Sequence, residues 1–434
     1  MDPGHVLFLG ARVVAVLTWA SVAFGGPRAC AATNPIDEIN RVAGASLADI
    51  APAKIVEVKG EEARLSSEAP KSWSAGTKLR QLQTLAPGSG TPAPGAVVAS
   101  SVVVRHGGRV LEKGKDWLLD PAWGSVGLAP GSSVTTRDAV SIDYAYSLRR
   151  LDSRVRTADG REVVRRGEDH LTVPQPPRLG PGETRVANVF VDYHSDGRGA
   201  EPFPVLEGAA RAKTGSTPGR VPRAMDTLRS GGSLKIVCWG DSVTVGGDAS
   251  SPEMRYAAVF ERRLREKFPA AKITVGVVAV GGSNSRQWLW PEKFPRAKPG
   301  ECDWAKVAAE KPDLVTLEFV NDAGLSAADV DRVYGEILSR VRALGAELIL
   351  ITPHFTMPSM MGFASLREPE RRPYVLALRE FAAKNGLALA DASARWEHLW
   401  REGLPYVTLL RNGINHPDDR GHALFADELM RCFE

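Results

Sequence analysis

From Leu234 onward, short apolar runs alternate with stretches of helical period, and this rhythm constrains the fold more than any other feature of the chain. The runs are Leu234–Trp239 (LKIVCW), Ile273–Val280, Leu314–Val320 (LVTLEFV), Glu347–Thr352 (ELILIT) and Leu387–Asp391 (LALAD). Between them, Ala257, Phe260, Leu264 and Phe268 share one helical face, as do Val330, Val333, Ile337, Val341 and Leu344. Val375, Leu378 and Phe381 mark a third such face. Strands that are apolar throughout, rather than every second residue, are buried on both sides. Alternated with amphipathic helices, they imply a parallel sheet covered on both faces. In such sheets, chemistry is placed at the carboxyl ends of the strands.

Upstream, residues from about Ile36 to Leu206 carry short β-branched or alternating runs such as Ala96–Val104, Ala139–Tyr146 and Arg185–Tyr193, broken by Gly, Pro, Asp and Ser. Their spacing predicts a β-rich, sandwich-like domain over 36–206. The segment Thr84–Gly95 reads as a loop. Residues 207–232 are poor in large apolar side chains and rich in Gly, Pro, Arg and Ser, which predicts a linker before a domain at 233–434. At the N-terminus, Val13–Gly25 is an uncharged apolar stretch after Arg12, followed by Ala29-Cys30-Ala31-Ala32. That pattern predicts a signal peptide over 1–32 and a secreted or cell-envelope protein, with an uncleaved anchor as the alternative.

With 43% hydrophobic residues, the 434-residue chain can bury a sizeable core. Its 55 Lys and Arg against 51 Asp and Glu leave a net charge of +4 with no basic run, which does not suit a nucleic-acid partner. Beyond the leader, Cys238, Cys302 and Cys432 form neither a disulfide framework nor a zinc-site spacing, although one disulfide among them is compatible with the sequence. No motif calls for a metal or cofactor.

Chemistry-bearing residues gather at the ends of the apolar runs. The first run ends in Trp239-Gly240-Asp241-Ser242, which puts a serine hydroxyl just past a buried strand. Ser251-Pro252-Glu253 then predicts a capped helix start. The second run ends in Gly281-Gly282-Ser283-Asn284-Ser285, the third in Phe319-Val320-Asn321-Asp322, and near the C-terminus stands Asn415-His416-Pro417-Asp418. In this order and spacing the four elements resemble the SGNH (GDSL-type) hydrolase family, over about residues 233 to 434 and none of the β-rich half. The resemblance implies a flavodoxin-like three-layer α/β/α domain. It also implies Ser242 as nucleophile and His416 as its base, with the N–H groups of Ser242 and Gly282 and the amide of Asn321 as an oxyanion hole. The chemistry is coherent, since a serine hydroxyl needs a base within hydrogen-bond reach, and the tetrahedral intermediate of acyl transfer needs fixed donors.

The chain departs from the family in two places. A common form of the last block has an aspartate three residues before the histidine, where this chain has Gly413. Either Ser242 and His416 act as a dyad, with a backbone carbonyl or an amide such as Asn412 holding the ring, or a carboxylate arrives from elsewhere. Val320 stands where a glycine is usual, and Glu318 has no assigned role. His354, after the fourth run, is either a substrate contact at the same rim or a hydrogen-bonded surface histidine, and Trp288 and Trp290 are either a sugar platform or core. His422 reads as structural, and Asp418-Asp419 as a charge feature of the last helix N-terminus.

These readings lead to the expectation of an exported serine esterase that works through an acyl-enzyme on an acylated carbohydrate, removing O-acetyl groups from a polysaccharide. The alternatives are a lipase-like or small-acyl esterase, and a glycan-binding protein with a degenerate hydrolase half.

Overall fold

The computed structural model describes residues 49–85, 90–208 and 215–434. The leader expected at 1–32 lies outside the described residues. In the C-terminal half, five strands form one parallel sheet: β1 (Ser233–Gly240), β2 (Lys272–Ala279), β3 (Leu314–Glu318), β4 (Glu347–Ile351) and β5 (Ala388–Ala390), in the lateral order 2-1-3-4-5. This is the flavodoxin-like order, whose crevice opens where the winding reverses between β1 and β3.

Successive side chains of a strand point to opposite faces, so β1 feeds two cores at once. Ile236 and Cys238 pack with α1 (Pro222–Arg229), with α2, a single turn (Ser242–Val245), and with α3 (Tyr256–Lys267). Val237 and Trp239 pack against α4 (Ser285–Leu289), α5 (Ala327–Ala343) and α6 (Pro373–Asn385). The last helix, α7 (Asp419–Arg431), lies beside α3 and joins the first of these cores. Helices therefore cover both faces. Trp239 is ringed by Trp288, Trp304 and Phe319 with ring centroids 5.2–5.9 Å apart, which makes a stiff aromatic floor two to three residues before Asp241-Ser242.

Two elements differ from expectation. Pro222–Arg229 lies in the stretch read as linker yet forms a helix. Its Ala224, Met225 and Leu228, with the preceding Val221, fall on one face and are buried, and period rather than apolar content decides burial there. Ser251-Pro252-Glu253 opens a short 3-10 turn over Pro252–Met254 with no side-chain cap, and α3 starts only at Tyr256.

The N-terminal half is rich in antiparallel sheet. One four-stranded sheet runs laterally through Ile55–Ala63, Val140–Ser147, Val103–His106 and Arg109–Val110, and a second through Glu201–Pro204, Thr184–Val191, Arg150–Arg156 and Glu162–Arg165. Trp117–Asp120, Ser125–Leu128 and Thr77–Lys78 form a three-stranded sheet. The two halves are closely joined. One core cluster takes Leu151, Phe190 and Phe203 from the first and Phe355, Trp396, Tyr406 and Val407 from the second. Asn188 Nδ2 donates to Gly403 O at 2.7 Å, and Thr172 Oγ1 donates to Arg411 O at 2.8 Å.

Candidate active site

Gly240 ends β1 because any Cβ there would overlap the Glu318 carbonyl of β3 and the Thr244 side chain. Asp241 then caps the single turn α2, its Oδ1 accepting from Val243 N at 3.1 Å. Ser242 is the first residue of that turn, so its own N–H has no intrahelical acceptor and is free to serve a ligand. The turn closes at Gly246 (φ 88°) in the left-handed region, where a Cβ would run into the Arg255 side chain.

The histidine arrives on the loop between Leu410 and Pro417. Asn412 Oδ1 accepts from the backbone N–H groups of Ile414, Asn415 and His416, each at 2.9 Å, and so fixes the loop rather than the imidazole. His416 Nε2 lies 2.9 Å from Ser242 Oγ. On the far side of the ring, His416 Nδ1 lies 3.2 Å from Asp248 Oδ2. The sequence did not single out Asp248. It follows Gly246-Gly247 and takes up φ 63°, a left-handed conformation that aspartate tolerates better than most residues. Gly247 permits the approach, since a Cβ there would sit 2.9 Å from the imidazole. The signal was a carboxylate immediately after a glycine pair, in the same loop as the serine.

The absence of an acid at 413 also has a structural reason. Gly413 adopts φ 71°, and a Cβ would sit 2.8 Å from Pro94 of the N-terminal half. The β-rich half packs where that side chain would have to start.

On the opposite side of Ser242, the turn after β2 brings Gly281 and Gly282 close. A Cβ on Gly281 would lie 3.7 Å from Ser242 Cβ, and Gly282 has φ 70°. Arg296 Nη2 donates to Gly281 O at 2.9 Å. In a trans peptide the carbonyl and the next N–H point in opposite directions, so this bond orients the Gly282 N–H. Asn321 begins where β3 gives way to a 3-10 turn. Its Nδ2 donates to Asp241 Oδ2 at 2.9 Å and to Ser283 O at 3.1 Å, so both amide hydrogens are engaged.

Three carboxyl groups lie buried beneath the serine. Glu318 is fully enclosed. Its Oε2 accepts from Thr244 Oγ1 at 3.2 Å, and burial, followed by the nearby Asp241, pushes its pKa well above the ordinary value. Burial raises Asp241 to about 7 against the pull of its N–H donors. It also raises Asp322, which accepts from Ser285 N and Tyr334 Oη, to about 6.

The other residues marked from sequence fall elsewhere. His354 is neither rim nor surface. It is 0% exposed, bonds Asn415 O through Nε2 at 2.8 Å and stacks edge-on to Trp396 and Phe425. Trp288 is 1% exposed and donates to Ser283 Oγ at 2.9 Å, so it is core and not a sugar platform. His422 is buried and bonds Gly247 O at 3.2 Å, which braces the loop under His416. Asp418 caps α7 through Gly421 N, as its charge position predicts. Cys238, Cys302 and Cys432 are buried free thiols.

Comparison with known families agrees with this geometry. Residues 238–424 match the model of the GDSL-like Lipase/Acylhydrolase family. The C-terminal half is a GDSL-like lipase/acylhydrolase domain. Among solved structures, a two-domain esterase active on acetylated mannans is similar at 20% identity over 50% of this chain and 53% of its own, with a TM-score of 0.40. The present chain thus spans about half the length of that esterase. An acetylxylan esterase from Geobacillus stearothermophilus is 19% identical over 46% of this chain and 93% of its own, with a TM-score of 0.36. An α/β hydrolase from the metagenome of Lake Arreo, Spain, is 18% identical over 46% and 94%, with the same TM-score of 0.36. No curated protein matches the chain in sequence. Within the GDSL-like domain, Ser242 and Gly282 stand at the carboxyl ends of β1 and β2 and Asn321 just past β3, around the switch point of the sheet.

Proposed function

We propose that the GDSL-like domain is a serine esterase acting through a Ser242–His416–Asp248 triad. The observation that carries this reading is the hydroxyl-to-imidazole distance of 2.9 Å, with a carboxylate 3.2 Å from the opposite ring nitrogen. His416 Nε2 takes the proton as Ser242 Oγ attacks the ester carbonyl, and Asp248 fixes the tautomer and supports the imidazolium. The oxyanion that forms is met by the N–H groups of Ser242 and Gly282. Asn321 joins them by exchanging its bond to the Ser283 carbonyl for one to the oxyanion. Collapse expels the alcohol, which collects the proton from His416, and leaves Ser242 acylated. Water, deprotonated by the same imidazole, then releases the acid and restores the serine.

The substrate class we propose is an O-acetylated carbohydrate, with export of the chain directed by the apolar Val13–Gly25 stretch. In support, the wall of the cleft beside Asp248 carries many charged side chains, Arg166, Glu168, Asp169, Arg178, Arg411 and Asp419 among them, next to the apolar Val173, Pro176 and Pro177. Such a wall suits a polyhydroxylated alcohol, whose rings present both hydroxyl groups and apolar faces. The test is hydrolysis of 4-nitrophenyl acetate, butyrate and octanoate by the wild type and Ser242→Ala. The wild type is expected to favour acetate, and Ser242→Ala to lose about a thousandfold or more in kcat. Equal rates for the two proteins would remove the esterase, and a preference for octanoate would replace the deacetylase with a lipid esterase.

A further inference from the structure

The cleft that Asp248 borders has a volume of about 870 Å3 and is walled by both halves of the chain. Residues 166–178 of the β-rich half form one side, and 248–250, 411 and 418–420 of the GDSL-like domain form the other. This volume lies within the range of about 300–1,000 Å3 usual for small-ligand sites. Its acidic groups are almost all engaged. Asp169 pairs with Arg166 at 3.0 Å, Asp418 with Arg420 at 2.7 Å and Asp248 with His416, while Asp419 accepts from Ser250 N at 2.8 Å. Glu168 stands exposed at the rim.

Arg411 is different. Among the described residues, no carboxylate lies within ion-pair distance of its guanidinium, and the polar group it meets is His170 Nε2, 3.5 Å from its Nη1. His170 Nδ1 accepts from Thr172 N at 3.0 Å and Val173 N at 2.8 Å, so that nitrogen carries no hydrogen. Burial, with Arg411 and Arg420 close by, lowers the His170 pKa to about 4, so the ring is neutral and its hydrogen sits on Nε2. Two donors therefore face each other in the cleft wall with no acceptor between them. Arg411 is also fixed in place, its backbone N–H bonding His416 O at 2.7 Å and its carbonyl accepting from Thr172 Oγ1. Arg178, exposed on the same wall, adds a second cation.

We propose that this cleft binds a carboxylate on the alcohol portion of the ester, as in a uronic acid unit of an acidic polysaccharide, with the Arg411 guanidinium and the His170 Nε2–H as its donors. The inference rests on the esterase reading of Ser242 and adds the identity of the chain it works on. A planar carboxylate presents two oxygens to a guanidinium and can bridge to the imidazole N–H, which a neutral sugar hydroxyl does less strongly. It also gives the β-rich half a task, since His170 and Arg178 belong to it.

The test compares kcat/KM on an O-acetylated methyl glucuronoside with that on the O-acetylated methyl glucoside, with 4-nitrophenyl acetate as a reference. The wild type is expected to prefer the uronoside by about tenfold or more. Arg411→Met should lower the uronoside-to-glucoside ratio about 10- to 100-fold, mainly through KM, and Arg411→Lys should keep part of it. No preference in the wild type, or an unchanged ratio in Arg411→Met, overturns the proposal while leaving the esterase standing. Failure of the wild type on the aryl acetate overturns the esterase reading instead. Should Arg411→Met fail to fold, calorimetric titration of Ser242→Ala with oligoglucuronate and with a neutral oligosaccharide decides the matter. Tighter binding of the acidic chain, weakening with salt, is expected, and equal binding or none overturns the cleft assignment.

Discussion

At the scale of single residues, the account rests on Asp248 and Arg296, neither of which the family pattern marks. Asp248→Asn keeps size and hydrogen-bonding capacity but removes the charge and permits the wrong imidazole tautomer. It is expected to lower kcat on an aryl acetate by about 100- to 10,000-fold with little change in KM. A kcat within a factor of about two of wild type would mean that His416 works without it. Arg296 acts at one remove, holding the Gly281 carbonyl so that the Gly282 N–H keeps its direction. Two glycines in sequence leave that peptide free to turn over. Arg296→Ala should therefore cost about tenfold or more in kcat, with KM nearly unchanged and transition-state-analogue affinity falling in step. A loss confined to KM would place Arg296 in substrate binding instead. Ser242 and His416 were legible as candidates because each stands in a short motif at a strand end or near the C-terminus. Asp248 was not, because its approach to the His416 ring depends on how Gly246 and Gly247 turn the chain, which no spacing rule records.

At the scale of elements, the alternation of buried runs and helical stripes foretold the parallel sheet, because burial on both faces and a 3.6-residue period are properties of local sequence. The flavodoxin-like strand order comes from the family resemblance rather than from the runs themselves. The helix at Pro222–Arg229 escapes notice because its apolar residues are few, although Ala224, Met225 and Leu228 keep the helical period. Tertiary packing explains Glu318, which ends β3 in a fully enclosed position. Its folded-state pKa is raised, so above the usual carboxyl value of 4.5 the unfolded chain releases a proton that the native protein retains. Stability from this group is complete at low pH and declines as pH rises toward the folded value, by about 1.4 kcal/mol per pH unit. Glu318→Gln cannot titrate. Denaturant unfolding from pH 5 upward should show the variant gaining on wild type by about that slope. Parallel curves for the two proteins would show that Glu318 is ionised in the fold.

At the scale of the whole molecule, the β-rich half shapes the site as well as adjoining it. Pro94 fills the space beside Gly413, and Thr172, Asn188 and a shared apolar core tie the halves together. An acid at 413 therefore has no room, and the carboxylate that faces the His416 ring is Asp248, in the serine's own loop. Gly413→Asp, which restores the common motif in sequence, is expected to destabilise the protein by about 1–3 kcal/mol, through a left-handed backbone and a collision with Pro94. It should not rescue the activity of Asp248→Asn. Recovery in that double variant, with stability intact, would show that the halves part more easily than their packing implies. The most direct measurement for the whole account is treatment with a fluorophosphonate probe followed by peptide mass mapping. The account predicts one adduct, on Ser242, formed much more slowly in His416→Ala. An unmodified Ser242, or labelling equally fast without the histidine, would contradict it.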